Sequence, residues 1–181
     1  MAKLNDIDKA AAGKGKGIET LWQFVKFIVV SLGAFVIQTF LPLLIKLPMS
    51  DEFLHQSFTW WIFHSTEETG LGIFLAANIS NVLAQIVSFF INRDKTFNSN
   101  ANIAVTLPIY IVFTIALICF SAWLSPTLIN FFTGYVGENA AISISGAVCG
   151  AIQFFLYFPV DKILFHKKKE DKAEEKKDEA K

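Results

Sequence analysis

Four long runs of apolar residues, each free of charged side chains, dominate this sequence. They extend from Phe27 to Ile45, Leu71 to Ile91, Ile103 to Leu124 and Ala140 to Val160. A run of about 18 or more such residues is long enough to cross the hydrocarbon core of a membrane as a helix. Only 18% of the residues are charged, against about a quarter in a soluble domain, so there is too little polar sequence to cover four apolar helices. The sequence therefore predicts an all-α, polytopic integral membrane protein with four transmembrane helices.

The sixteen Lys and Arg residues are unevenly distributed around these spans. Five precede the first span, one follows it, two lie between the second and third, none lies in the predicted loop from Ser125 to Asn139, and eight follow the fourth. Because Lys and Arg accumulate on the cytoplasmic side of short loops, this distribution predicts that both termini are cytoplasmic. The first twenty residues are polar and do not form a secretory signal peptide, so we expect the first span to be retained.

The chain divides into three regions by composition. Residues 1–20 are predicted to form a polar cytoplasmic segment, residues 21–166 the four-helix transmembrane domain, and residues 167–181 a charged, disordered cytoplasmic tail. The loop between the first two spans contains Trp60, Trp61 and Phe63, which we expect in the outer headgroup region, with a short re-entrant or surface helix as one way of holding them.

Polar residues inside the second span lie on one face of the predicted helix. At about 100° per residue they occupy a stripe about 80° wide. The stripe consists of Asn78, Asn81, Gln85, Ser88 and Asn92. Amides facing lipid would cost several kcal/mol each. Two interpretations remain open: the stripe bonds to neighbouring helices, or it lines a path for a polar substrate.

The fourth span carries a similar face. Gly146 and Gly150 form a pair of small residues four positions apart, which predicts close packing of two helices or a dimer seam. Gln153 and Tyr157 continue this face with polar groups, and Asp161 follows if the helix continues beyond Pro159. The third span has few polar residues, and we expect it to face lipid or to have a structural role.

Motifs of soluble catalysis are absent from the sequence: it has no nucleotide-binding loop, no HExxH motif and no nucleophile elbow. The segments outside the spans are also too short to fold as a catalytic domain. We therefore expect that the protein is not an enzyme, has no cofactor or metal site, and does not bind nucleic acid. The spacing of His55 and His64 fits no standard metal site.

The end of the second span resembles the GtrA-like family of small four-span membrane proteins. That family typically has a Phe, two or three apolar residues, an Asn-Arg pair and then a Thr-Phe or Val-Phe pair. The matching residues are Phe89, Phe90, Asn92, Arg93, Thr96 and Phe97. The resemblance extends over residues 21–165, but its specific part is about twenty residues long. Lys95 departs from the pattern, because the family often has an aromatic residue there.

The resemblance implies a role in synthesis of cell-surface polysaccharide, or in teichoic acid glycosylation, at the bacterial plasma membrane. Several members are thought to move a polyprenyl-phosphate-linked sugar between leaflets. On this hypothesis Arg93 holds the phosphate, assisted by Lys26, Lys95 and Lys162, because its guanidinium forms a bidentate fork. The polar residues Asn78, Asn81, Gln85, Ser88, Asn92 and Gln153 contact the headgroup. A second interpretation of Arg93 is a simple positive anchor at a helix end.

Other functions and assemblies stay open at this stage. The protein could instead be a membrane module that docks or stabilises a glycosyltransferase without transporting anything. A small multidrug exporter is disfavoured, because such exporters use an acidic residue in the first span and Phe27–Ile45 has none. Expected partners are the lipid-linked sugar, membrane lipids and, in the alternative, the glycosyltransferase. A homodimer is one way of completing a path that four helices enclose poorly.

Overall fold

The protein is a bundle of four long helices with short elements at both ends. The structure is a computed structural model, and it describes residues 2–65 and 70–165. The long helices are α2 (Lys16–Lys46), α4 (Leu71–Ile91), α5 (Ile103–Val136) and α6 (Glu138–Leu164), and all four are long and apolar enough to cross a membrane. The prediction of an all-α polytopic membrane protein is thus confirmed. The predicted tail, 167–181, lies outside the described residues.

Short elements connect and flank the long helices. Helix α1 (Ala2–Gly13) precedes α2, and the single turn α3 (Asp51–Leu54) follows it. Strands β1 (Thr59–Trp60) and β2 (Phe63–His64) then form an antiparallel hairpin, with Trp60 opposite Phe63. The tryptophans are therefore held by a hairpin and not by the surface helix considered above. Phe63 packs inward against Phe74 of α4, whereas Trp60 and Trp61 are exposed.

Helix α5 is longer than the sequence predicts. The predicted loop from Ser125 to Asn139 is wrong, because α5 continues through Pro126 to Val136. Proline removes one helical hydrogen bond, but membrane helices tolerate it when neighbouring groups compensate. The turn into α6 is made at Gly137, whose φ of 81° suits glycine.

Two ends of the bundle can be distinguished. At one end the start of α2, the end of α4 and the end of α6 come together with Lys26, Arg93, Lys95 and Lys162, and we call this the basic end. Aromatic rings fill its interior, including Phe27, Phe89, Phe97, Tyr110 and Phe165. The opposite end, next to β1 and β2, is called the hairpin end.

Helices α4 and α6 each bury a row of residues spaced by four. In α4 the row is Gly72, Ala76, Ser80, Ala84 and Ser88, all buried, and it continues to Asn92. In α6 the corresponding row is Ala141, Ser145, Cys149, Gln153, Tyr157 and Asp161, in which Gln153 is half-buried and the others are buried. Small residues at such spacing let helices approach closely in a membrane. The rows place Asn92 and Asp161 at equivalent positions, and their side chains meet.

Candidate functional site: an amide-lined pair of cavities

Two cavities lie between the long helices, one towards each end of the bundle. The first, of about 320 Å³, lies towards the basic end and is lined by residues of α2, α4, α5 and α6. The second, of about 340 Å³, lies towards the hairpin end and includes Phe63 and Phe74. Gln153 lines both cavities. The Gln153 amide therefore lies between the two cavities.

Most of the polar residues predicted for the site line these cavities. Gln85, Ser88 and Asn92 line the first cavity with Gln153. Asn78 and Asn81 line the second. The stripe that the sequence places on one face of α4 thus runs along both spaces.

The amides also bond to neighbouring helices. Gln38 Nε2 donates to Asn81 Oδ1 at 3.0 Å, and Gln153 Nε2 donates to Ser121 Oγ at 2.7 Å. Tyr110 donates its hydroxyl proton to Gln85 Oε1 at 3.2 Å. A side-chain amide has two donors and two acceptor lone pairs, so one bond leaves capacity for a ligand. The two interpretations of the stripe are therefore compatible: the same residues hold helices together and line cavities.

The glycines of α6 do not form the predicted seam within the chain. A Cβ added at Gly146 or Gly150 would meet no other atom within 4 Å. Gly150 instead lines the first cavity and Gly146 the second. Small residues at these positions widen the cavities, because any longer side chain would project into them.

A buried polar cluster closes the first cavity at the basic end. Asn92 begins a π-helical turn (Asn92–Thr96), in which Phe97 N donates to Asn92 O. Such turns are frequent at functional sites because they reorient side chains. The Asn92 side chain donates from Nδ2 to Asp161 Oδ2 at 2.8 Å and accepts from Thr96 Oγ1 at 2.9 Å. Asp161 is completely buried.

The predicted basic residues lie beside the cavities and not in their walls. Arg93 donates from Nε to the Ala101 carbonyl at 3.1 Å and pairs through Nη1 with Asp94, which ties the π-helical turn to the segment before α5. Lys26 is buried and donates to the Lys95 carbonyl at 2.7 Å. The Lys95 side chain itself is exposed. These contacts are compatible with the anchor interpretation of Arg93.

Helix α1 docks on the basic end through Asp8. Its carboxylate accepts from Lys26 Nζ at 3.0 Å, from Asn98 Nδ2 at 2.9 Å and from the indole of Trp22. Partial burial raises the pKa of Asp8, but the hydrogen bonds and the charge of Lys26 outweigh it, so the pKa lies below its ordinary value of 3.8. Asp8 is thus held as a carboxylate that fastens α1.

Tyr110, Gln38 and Asp161 contribute to the site but were not predicted as site residues. Tyr110, which is 1% exposed, places α5 in the wall of the first cavity, so the expectation of a lipid-facing or merely structural α5 is incomplete. Gln38 of α2 lines the first cavity and donates to Asn81. Asp161 was placed on the face of α6, but its burial against Asn92 was not foreseen. The spacing by four from Ala141 onwards is the sequence signal that leads to Asp161.

Neither a metal site nor a known relative identifies the function of these cavities. Within residues 2–65 and 70–165, no three His, Cys, Asp or Glu side chains come together as a metal ion would require. Comparisons with protein-family models, with curated proteins and with solved structures find no match to this chain. The GtrA-like resemblance therefore stays a prediction.

Proposed function

We propose that this membrane protein translocates a polyprenyl-phosphate-linked sugar across the bacterial plasma membrane. The observation that supports this most is the pair of cavities that share Gln153 and are lined by the amides of α4. Sugar hydroxyls that leave water need replacement hydrogen bonds. Side-chain amides supply both donors and acceptors, whereas an apolar packing interface would supply neither.

The first cavity opens sideways, which suits a substrate with a lipid tail. Leu32 and Phe35 of α2 line it, yet their side chains are 61% and 64% exposed. Gly150 faces the same space from α6 and is also exposed. Helices α2 and α6 contact each other at the basic end, where the rings of Phe24 and Phe158 pack together. A headgroup could therefore occupy the cavity while its tail stays in the bilayer.

The basic end would receive the phosphate. With both termini cytoplasmic, as the Lys and Arg distribution predicts, this end faces the cytoplasmic leaflet. The exposed Lys95 and the guanidinium of Arg93 lie there. Arg93 uses Nε and Nη1 for its bonds to Ala101 and Asp94, and a guanidinium has five N–H donors, so its Nη2 is left to donate to a phosphate.

The proposal is tested by reconstituting the purified protein alone in proteoliposomes that contain a polyprenyl-phosphate hexose. An external enzyme that modifies the exposed sugar reports its arrival in the outer leaflet. We expect Gln153→Leu and Asn81→Leu to slow translocation about five- to tenfold each, because each removes a hydrogen-bonding group from the path. Asn130→Leu is the matched control, since Asn130 is exposed and lies outside both cavities.

One further variant, Arg93→Lys, separates the two interpretations of Arg93. Arg93→Lys keeps the charge but loses the planar fork. Slower translocation at normal expression supports phosphate binding, whereas full activity leaves the anchor. If well-folded protein moves no such lipid, the transport proposal fails, and co-purification of a glycosyltransferase would then favour the docking role.

A further inference from the structure

Asp161 is a buried acid that has neither a counterion nor a full set of hydrogen bonds among the described residues. The residue is 0% exposed, and its Oδ2 accepts one hydrogen bond, from Asn92. Its other oxygen, Oδ1, is buried and has no hydrogen-bond partner among the described residues. A carboxylate normally accepts several bonds, so this geometry satisfies only a fraction of its capacity.

No cation of the described chain neutralises Asp161. From α5 and α6 the titratable groups near it are the phenols of Tyr110 and Tyr157. Lys26 of α2 is bonded to Asp8 and to the Lys95 carbonyl. The three remaining cations of the basic end do not pair with it either. Arg93 is bonded to Ala101 and Asp94, Lys162 donates to Thr20 at 2.7 Å, and the Lys95 side chain is exposed.

An unpaired carboxylate in such a place is costly. Burial of an ionised acid without a counterion disfavours the charged form strongly, both in protein interiors and in membranes. A neutral carboxylic acid avoids most of that cost, and it still accepts the Asn92 amide proton at Oδ2 while Oδ1 carries the proton. The geometry therefore favours a protonated acid.

The carboxyl group lies one side chain away from the first cavity. Asn92 lines that cavity and bonds to Asp161 at 2.8 Å, and Tyr157 lines it one turn before Asp161 on α6. The Asn92 Nδ2 carries two hydrogens, and one of them serves Asp161. A ligand that accepts the other hydrogen would therefore be separated from the Asp161 carboxyl group by only one amide, so its binding would depend on the charge of that group.

We propose that Asp161 is a reversible proton-binding site that controls the binding of an anionic headgroup in the first cavity. The headgroup binds when Asp161 carries a proton and is repelled when Asp161 is a carboxylate, since two anions so close cannot both be accommodated. By reciprocity, binding of the anion takes up a proton. The link to a headgroup rests on the proposed function, whereas the proton site itself does not.

The proton site is tested first, without substrate, by infrared spectroscopy of the reconstituted full chain. We expect a carbonyl band of a protonated carboxyl group at neutral pH, where exposed acids are ionised. Asp161→Asn should remove the band, and because Asn and Asp side chains have nearly the same shape, the fold should be unchanged. The exchanged pair Asn92→Asp with Asp161→Asn should restore it, because the acid and the amide are kept in contact. Absence of the band from the wild type at neutral and at mildly acidic pH would overturn the proposal.

The control of binding is tested with a polyprenyl-phosphate hexose titrated into the detergent-solubilised full chain. We expect wild-type binding to weaken as the pH rises through the range in which the infrared band of the substrate-free protein disappears, by up to about tenfold per pH unit. In that range binding should also take up a proton, seen with an indicator dye in weak buffer. Asp161→Asn should bind without pH dependence or uptake. If the wild type binds the lipid without pH dependence and without proton uptake, Asp161 does not control binding and the proposal is overturned. If the lipid fails to bind while the infrared band is present, the proposed function fails and the proton site stands.

Discussion

Gly150 provides a direct test of whether the first cavity is the route of the headgroup. It lies in the middle of α6, lines that cavity and has no other atom within 4 Å of an added Cβ. Gly150→Ala should therefore fold without strain and increase stability by about 0.5–1 kcal/mol, because glycine is unfavourable within a helix. Leu and Trp at this position extend progressively into the cavity. We expect translocation to fall in the order Gly, Ala, Leu, Trp.

The size of the effect follows from the cost of forcing a headgroup past a large side chain. The cavity holds about 320 Å³, and an indole inside it must be moved off its preferred rotamer for each passage. Such overpacking costs about 1–3 kcal/mol. Since 1.4 kcal/mol is a factor of ten, Gly150→Trp should slow translocation about 5- to 150-fold.

Gly33 of α2 supplies the matched control for this series. Its added Cβ also meets nothing within 4 Å, but Gly33 does not line the first cavity. Gly33→Trp should leave the rate of translocation in proteoliposomes near that of the wild type. Thermal unfolding in detergent establishes that each variant is folded. An unchanged rate in folded Gly150→Trp, or an equal loss in Gly33→Trp, would refute the assignment of the cavity as the route.

Three further predictions concern the fold. Gly70→Ala should destabilise the protein by about 3 kcal/mol or more in thermal unfolding, because its Cβ would lie 2.3 Å from the Leu54 carbonyl oxygen; unchanged stability would contradict this contact. Ala84→Leu should cost about 1–3 kcal/mol, since Ala84 is completely buried in the small-residue row, whereas Ala77→Leu on the exposed face of α4 should cost little. Docking of α1 should be full above pH 3.8 and weaken as the pH falls below it, because the pKa of Asp8 is lowered in the docked state; protection of α1 amides from hydrogen exchange measures this, and Asp8→Asn should remove the pH dependence.

The main features of the bundle could be predicted because a membrane imposes a simple rule on sequence. Each span needs a long uncharged run, and the four runs lie within α2, α4, α5 and α6. The stripe in α4 was also predictable, because a helix converts spacing into direction. Helix ends were less predictable: Pro126 resembles a breaker in the sequence, but it lies inside α5. A helix within a membrane tolerates proline where neighbouring helices or Ser and Thr side chains satisfy the freed backbone group, and Ser125 and Thr127 flank this proline.

Partners across helices could not be predicted in the same way. Spacing places Asn92 and Asp161 on faces of their own helices, but it does not state that the two faces meet. The open space beside Gly150 was equally hidden, since paired small residues predict close packing as readily as a cavity. The contacts of Arg93 with Ala101 and Asp94 depend on the π-helical turn, which no pattern in the sequence indicated.

The matched rows of α4 and α6 bear on why an acid occupies position 161. The rows end at Asn92 and Asp161, which contact each other at equivalent positions of two helices. Two asparagines there could form the same kind of hydrogen bond without burying an ionisable group. Two aspartates could not both ionise at this distance. An amide paired with an acid can keep its hydrogen bond whether Asp161 is protonated or ionised. The charge at this position can therefore change without breaking the contact between the helices. A purely structural contact does not need a group that changes its charge, whereas the anion binding that we propose for the neighbouring cavity depends on one.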